Sequence, residues 1–337
     1  MGRSSLIYGE SFVLCKEEAL PFRHRPAAGR PIVLRSRYEL NQPDNVIYEE
    51  GVDYIVDRDT GTVRRTAASS IRDGALHPLY GVDHFDHTKY ADYSNQAYTV
   101  YADYEAETDE NEAVAALPSI EAVMRSGKLP RLAAKLTAGE EALYVVYGDS
   151  ISVGGEASRL GLSYAELAAA SLRAIFGNIG LRVDNRAIGG ETSGGGAARV
   201  LADVVPLAPD LVTIGYGMND QNKHGTGNAV PLPEYERNLR AMIEAIRRHT
   251  GSDIVLVTPC EPNPRWMHAS SDMPRYADTL RRLGAEYGIG VADAHELWQE
   301  ELAAGKTSAS LLLNNINHPN DYGHTIYHSA FLKMLKT

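Results

Sequence analysis

The sequence predicts an α/β fold, a doubly wound parallel sheet with helices around it, preceded by a small all-β sandwich or jelly-roll-like domain. Three observations predict it. Up to about residue 105, short β-rich runs are broken by turn residues and no helical stripe appears. After Gly139, compact apolar runs alternate with segments whose apolar residues recur at helical spacing. The 337 residues, 44% apolar and 23% charged, suffice for two folded cores and exclude disorder as the main state.

In the first part, strands are expected at Pro31 to Arg35, Asn45 to Tyr48, Asp53 to Asp57 and Thr62 to Thr66. Asp59-Thr60-Gly61 joins the last two as a hairpin turn. The acidic stretch Glu105 to Ala116, ending at Leu117-Pro118, reads as a solvated crossover between domains. A short helix over Ser119 to Arg125, stopped by Gly127, docks it onto the second domain. The expected division is thus a β domain over 1–117, a linker with a docking helix over 118–139 and an α/β domain over 140–337.

In the α/β part, Leu143 to Tyr147 is a compact apolar strand, and Ser163 with Glu166 forms a capping box that opens a helix to Phe176. Leu181 to Ala187, Leu211 to Ile214, Ile254 to Thr258 and Gly290 to Ala292 come next as strands. Between and after them, helices are expected over Gly196 to Val205, around Tyr235 to Ile246, over Ser271 to Tyr287 and over His295 to Ala304. Such alternation implies right-handed crossovers and a parallel sheet, with the ligand site at the carboxyl ends of its strands.

The net charge of −11, with a pI near 5.5, disfavours nucleic acid and anionic membranes as partners. Two distant cysteines, Cys15 and Cys260, exclude a disulfide scaffold and a multi-cysteine zinc module. Neither a signal-like h-region nor a membrane-spanning run is evident, so a cytoplasmic location is expected.

Three strand ends carry unusual polar residues: Gly148-Asp149-Ser150, then Asn185 through Gly190, then Gly215 through Asp220. Before the last helix comes Asn317-His318-Pro319-Asn320, with Gly323 and His324. Acyl transfer by a serine needs a base for its proton and donors aimed at the oxyanion, and these four segments hold all those residue types.

Across Leu143 to Lys336 the chain resembles the SGNH hydrolases, the esterase family also called GDSL-like. Tyr147-Gly148-Asp149-Ser150-Ile151 matches its serine block, Asn185 through Gly190 its glycine block, Gly217 to Asp220 its Gly-x-Asn-Asp block and His318-Pro319-Asn320 its histidine block. The resemblance implies a flavodoxin-like three-layer fold, Ser150 as nucleophile and His318 as base. Its oxyanion hole is then formed by Ser150, Gly190 and Asn219, with Gly189 the lesser choice of glycine. It implies neither cofactor nor metal. Where the family places an aspartate, three residues before the histidine, this sequence has Asn315, which can orient an imidazole but cannot neutralise an imidazolium. A Ser150-His318 dyad is therefore expected, with Asn315 or a backbone carbonyl holding the ring. Members with a jelly roll before the catalytic domain that deacetylate carbohydrates have a similar layout, so a short acyl ester, chiefly acetyl, on a small molecule or oligosaccharide is the expected substrate.

Plainer roles are assigned to the neighbours. Asp149 bonds turn amides beneath the nucleophile, Asp220 caps a strand end, and His324 is a packed histidine and only the fallback base. The cluster His77, Asp83, His84, Asp86 and His87, with Tyr90, Tyr93, Tyr98, Tyr101 and Tyr104, reads either as a metal or sugar site or as strand and loop packing. The packing account is preferred, because spacing alone does not converge ligands. Pro264, Arg265 and Trp266, after the fourth strand, are expected either to wall a substrate pocket or to form a rigid connection. A carbohydrate-binding protein on a hydrolase scaffold, an acyltransferase using the same serine, and a homo-oligomer all remain open.

Overall fold

The computed structural model describes residues 4–107 and 117–336. Their contacts form two compact units. The first comprises Met1–Ala116, of which 4–107 are described, with Arg265–Met267 and Gln299–Gly323; the second comprises Leu117–Pro264, His268–Trp298 and His324–Thr337.

The first unit contains β1 (Ser4–Val13), β2 (Leu20–Pro21), β3 (Ile32–Arg35), β4 (Ile47–Tyr48), β5 (Tyr54–Asp57), β6 (Thr62–Arg65) and β7 (Thr99–Glu107). They make two antiparallel sheets, ordered β1-β7-β3-β4 and β2-β6-β5. Phe12, Leu34 and Val100 of one sheet share a core with Tyr54, Val56 and Val63 of the other. The hairpin at Asp59-Thr60-Gly61 forms as expected: the Asp57 carboxylate accepts the amides of Asp59 and Thr60, and Gly61 takes the left-handed conformation.

The two longest strands, β1 and β7, go beyond the expectation. In β1 a bulge shifts the register between Ile7 and Glu10, with Gly9 at φ +68°, so the alternation of buried positions is broken. In β7 the charged Glu105 and Glu107, read from the sequence as crossover, are strand residues; the rest of that stretch, 108–116, lies outside the described residues. Glu10 is buried on β1 because Lys306 and the Tyr104 hydroxyl meet its carboxylate. Lys306 also donates to the Ser11 carbonyl at 3.1 Å, which fastens the 299–323 segment to β1 within this unit.

The second unit holds β8 (Ala142–Gly148), β9 (Leu181–Asn185), β10 (Leu211–Gly215), a small hairpin β11 (Lys223–His224) and β12 (Gly227–Asn228), then β13 (Asp253–Val257) and β14 (Gly290–Ala292). Five of these form one parallel sheet, ordered β14-β13-β10-β8-β9. Counted within the sheet this is the order 2-1-3-4-5 of a doubly wound fold, whose direction of winding reverses between β8 and β10. The helices α1 (Ile120–Ser126), α2 (Pro130–Thr137), α3 (Ser150–Val153), α4 (Tyr164–Phe176), α5 (Ser193–Asp203), α6 (Leu232–His249) and α7 (Met273–Tyr287) flank it.

Their ends obey the predicted chemistry. Ser119 caps α1 and Gly127 closes it in the left-handed region; Ser163 caps α4 and Gly177 closes it likewise. Tyr235, Leu239, Met242, Ile243 and Ile246 form the buried face of α6. Helix α2, opened by Pro130, is an addition to the expected elements; its buried face is Leu132, Ala133 and Leu136.

Candidate active site

Gly148 of β8 pairs with Gly215 of β10, so the turns leaving both strands emerge side by side at the carboxyl edge of the sheet. Ligands bind such sheets where the winding reverses. A Cβ at Gly148 would lie 2.4 Å from the Gly215 carbonyl oxygen and 2.4 Å from Ser152 Oγ, so only glycine permits this approach. Two residues on, Ser150 opens α3 and is half-buried. Asp149 is buried beneath it and caps α3, its carboxylate accepting the Ile151 amide at 3.0 Å. Burial pushes the Asp149 carboxyl up to about 7, and the nearby Asp220 charge adds to the rise against the amides of Ile151, Met218 and Ser152.

The glycine loop is laid along the end of β8. Arg186 N donates to the Val146 carbonyl at 2.8 Å, and Ile188 N to the Gly148 carbonyl at 3.0 Å. Asn185 ties the loop to α3, donating from Nδ2 to the Ser152 carbonyl at 2.8 Å while its Oδ1 accepts the Ala187 amide. A Cβ at Gly189 would stand 4.0 Å from Ser150 Cβ, so this loop passes directly beside the serine. Gly190 comes next at φ +75°, a conformation that disfavours any side chain.

Asn219, from the turn after β10, donates its Nδ2 to the Glu191 carbonyl at 3.0 Å. The Glu191 side chain is itself held: Arg199 reaches both its oxygens and the Tyr216 hydroxyl donates to it at 2.7 Å. Asp220 is buried and caps α5 from the neighbouring strand end, accepting the Ser193 amide at 3.0 and 3.2 Å and its hydroxyl at 2.5 Å. Burial raises its carboxyl to about 6 against those Ser193 bonds. Ser150, Gly190 and Asn219 thus gather at one strand-end crevice of the second unit.

His318 and Asn315 share one loop of the first unit. Asn315 is buried at φ +57°, in the left-handed region that asparagine tolerates better than most residues. Asn314, which sequence reasoning passed over, organises the loop: its Oδ1 accepts the amides of Ile316, Asn317 and His318, and its Nδ2 donates to Asn317 Oδ1 at 3.0 Å. Asn314-Asn315-Ile316-Asn317 was a local signal for such a turn. His318 is half-buried, and its carbonyl accepts the Leu313 amide at 2.9 Å.

His324 is fully buried in the second unit. Its Nδ1 accepts the Tyr164 amide at 3.3 Å, and Nε2 lies 3.1 Å from the Gly155 carbonyl, so both ring nitrogens face backbone groups. Trp266 is buried in the first unit and donates Nε1 to His87 Nδ1 at 3.1 Å, while exposed Arg265 faces Asp83 at 3.4 Å. His77 accepts the Leu79 amide at Nδ1 and stands 3.2 Å from the Ser94 carbonyl at Nε2. Among the described residues, no group of three or more His, Cys, Asp or Glu side chains is arranged to hold a metal ion. No helix among them is long and apolar enough to cross a membrane.

The sequence profile of the GDSL-like lipase/acylhydrolase family matches residues 146–326, more than half of the chain. The chain belongs to this family. The match runs from the end of β8 past the histidine loop and takes in Ser150, Gly190, Asn219, Asn315 and His318. An acetylxylan esterase of Geobacillus stearothermophilus is 30% identical over 224 residues, covering 59% of this chain and 95% of that enzyme. The esterase TesA of Pseudomonas aeruginosa is 33% identical over 154 residues, 44% of this chain and 71% of the relative. The crystal structure of the Geobacillus acetylxylan esterase superposes with a TM-score of 0.49 at 26% identity, covering 58% of this chain and 94% of that one. Family and relatives together make this chain a serine ester hydrolase.

Proposed function

We propose that this family member removes short acyl groups, chiefly acetyl, from a carbohydrate, with Ser150 as nucleophile and His318 as base. The observation that carries the reading is the placing of Ser150 at the start of α3, in the crevice where the sheet reverses, with the Gly190 loop and Asn219 beside it. The carbohydrate is supported by the acetylxylan esterase that matches over 59% of the chain.

His318 takes the Ser150 proton as Oγ attacks the acyl carbon, and the carbonyl oxygen becomes an oxyanion. The Ser150 and Gly190 amides, with the second N–H of the Asn219 amide, are its donors. One N–H of that amide is spent on the Glu191 carbonyl, which fixes the plane in which the other points. Collapse of the tetrahedral intermediate breaks the bond to the sugar oxygen, which leaves with the proton from His318. Water, deprotonated by His318, then attacks the acyl-enzyme and regenerates Ser150 with release of the acid. Asn315 supplies no charge to this cycle, so the catalytic unit is a dyad.

Acetylated xylooligosaccharides and nitrophenyl acetate, offered to the purified protein with Ser150→Ala and His318→Ala beside it, test the proposal. Acetate release by the parent that both substitutions abolish supports it. Turnover surviving Ser150→Ala overturns the nucleophile assignment. Transfer of the acyl group to an added alcohol in preference to water makes the enzyme a transferase.

A further inference from the structure

Asn95 lies in the turn before β7 and is buried, although nothing in the ester-cleaving cycle calls for it. Its own carbonyl accepts the amides of Tyr98 and Thr99 and the Thr99 hydroxyl, which fixes the residue to the start of the strand. Its donors, the backbone N–H and Nδ2, are spent on the segment that carries His318, more than 200 positions away in sequence. The Asn95 amide donates to the Leu313 carbonyl at 2.7 Å. Nδ2 donates to the Leu312 carbonyl at 2.7 Å and the Ala309 carbonyl at 3.2 Å, and Ser94 Oγ adds a bond to Leu313 at 3.1 Å.

On its other side, Leu313 donates its amide to the His318 carbonyl, and Leu312 forms an isolated bridge with Pro319. Two of the carbonyls taken by Asn95, those of Leu312 and Leu313, therefore belong to residues whose backbones pair with the base and its neighbour. A second anchor comes from β1: Ser11 Oγ donates to the Ser310 carbonyl at 2.5 Å, and the Val13 amide to Ser310 Oγ at 3.0 Å. All these groups belong to the first unit, so the β sheets and the histidine loop fold against each other.

We propose that Asn95 is a positioning residue for the general base, and that the β sheets serve the reaction by seating the loop that aims His318. The proposal rests on the assignment of His318 as base. Truncating Asn95 removes the Nδ2 donor from the Ala309 and Leu312 carbonyls, leaving Leu312 with the Asn315 amide at 3.3 Å, and the loop relaxes to make up the loss. A displacement on the order of 1 Å at a catalytic group costs up to about 100-fold in rate.

The experiment compares kcat and KM on nitrophenyl acetate for the parent, Asn95→Ala, Asn95→Asp, Ser94→Ala, Tyr54→Phe and His318→Ala, with melting temperatures alongside. Asn95→Asp keeps the shape and removes the donor. Tyr54→Phe removes a buried hydrogen bond of the same β core, from its hydroxyl to the Ile32 carbonyl, away from the histidine loop. Expected are a fall in kcat of about 10- to 100-fold for both Asn95 variants with KM within about twofold, a smaller fall for Ser94→Ala, and native kcat for Tyr54→Phe even where its melting temperature drops. Native kcat in folded Asn95→Asp and Ser94→Ala, with His318→Ala inactive, overturns the positioning role and leaves the base assignment standing. Native turnover in His318→Ala overturns the base assignment itself. If Asn95→Ala does not fold, the other two variants decide.

Discussion

In the proposed cycle Asn219 is the one side-chain donor to the oxyanion. Its amide is oriented by the Glu191 carbonyl before any substrate arrives, so the donor needs no reorganisation when charge develops. Asn219→Ala is expected to lower kcat by about 10² or more with a smaller change in KM, because the donor is aimed at charge that appears in the transition state. Initial rates on nitrophenyl acetate across a substrate range check it; near-native kcat would make Asn219 a closure of the strand end only. Asn315 poses the opposite case. Its left-handed backbone means that an alanine there carries a penalty of about 1 to 2 kcal/mol unrelated to catalysis. Asn315→Gly is the cleaner truncation, and it should cost no more than a hydrogen bond, about 0.5 to 1.5 kcal/mol in activation free energy. Asn315→Asp should hold or raise turnover if the ring faces this position, since a carboxylate favours the imidazolium. A glycine variant as inactive as His318→Ala, yet folded, would make the asparagine a full member of a triad. These candidate residues were nameable from the sequence because each block is local, a few residues long. Asn95 and Asn314 were not: the first finds its partners more than 200 positions away, and the second was overshadowed by the neighbour that fills the acid's place.

At the scale of elements, apolar strands and capped helices could be read from sequence because period and cap are short-range. The strands β1 and β7 could not, since Glu10 is tolerable in a buried strand only with Lys306 and Tyr104 against it. The turn between β8 and α3 carries its own electrostatic consequence. The carboxyls of Asp149 and Asp220, at about 7 and about 6, titrate higher than in the unfolded chain. An acid with a raised folded pKa binds its proton more tightly when folded. Its contribution to stability is therefore complete below the unfolded value of about 3.9 and is lost as pH rises through the folded one. The melting temperature should fall between about pH 4 and 7 on this account, and Asp149→Asn, which keeps the oxygen facing the Ile151 amide, should make that fall shallower. Melting curves across this range decide it; identical slopes for parent and variant would show that Asp149 titrates like an exposed carboxylate.

At the scale of the whole molecule, sequence reading sets boundaries along the chain, whereas packing groups segments regardless of their order. The α/β architecture could be inferred from the alternation of elements after Gly139, whereas the strand order, and with it the switch point, comes from the packed sheet. That 265–267 and 299–323 pack with the N-terminal β sheets could not, because no local pattern encodes it. Of the residues proposed for catalysis, Ser150, Gly190 and Asn219 belong to the second unit, and His318 and Asn315 to the first. The central claim, a serine made reactive by His318, is tested most directly by a fluorophosphonate and then peptide mapping of parent and His318→Ala. The account predicts rapid modification at Ser150 alone in the parent, and little or none in the variant. Label on another serine, no label on an active enzyme, or equal labelling without His318 would contradict it.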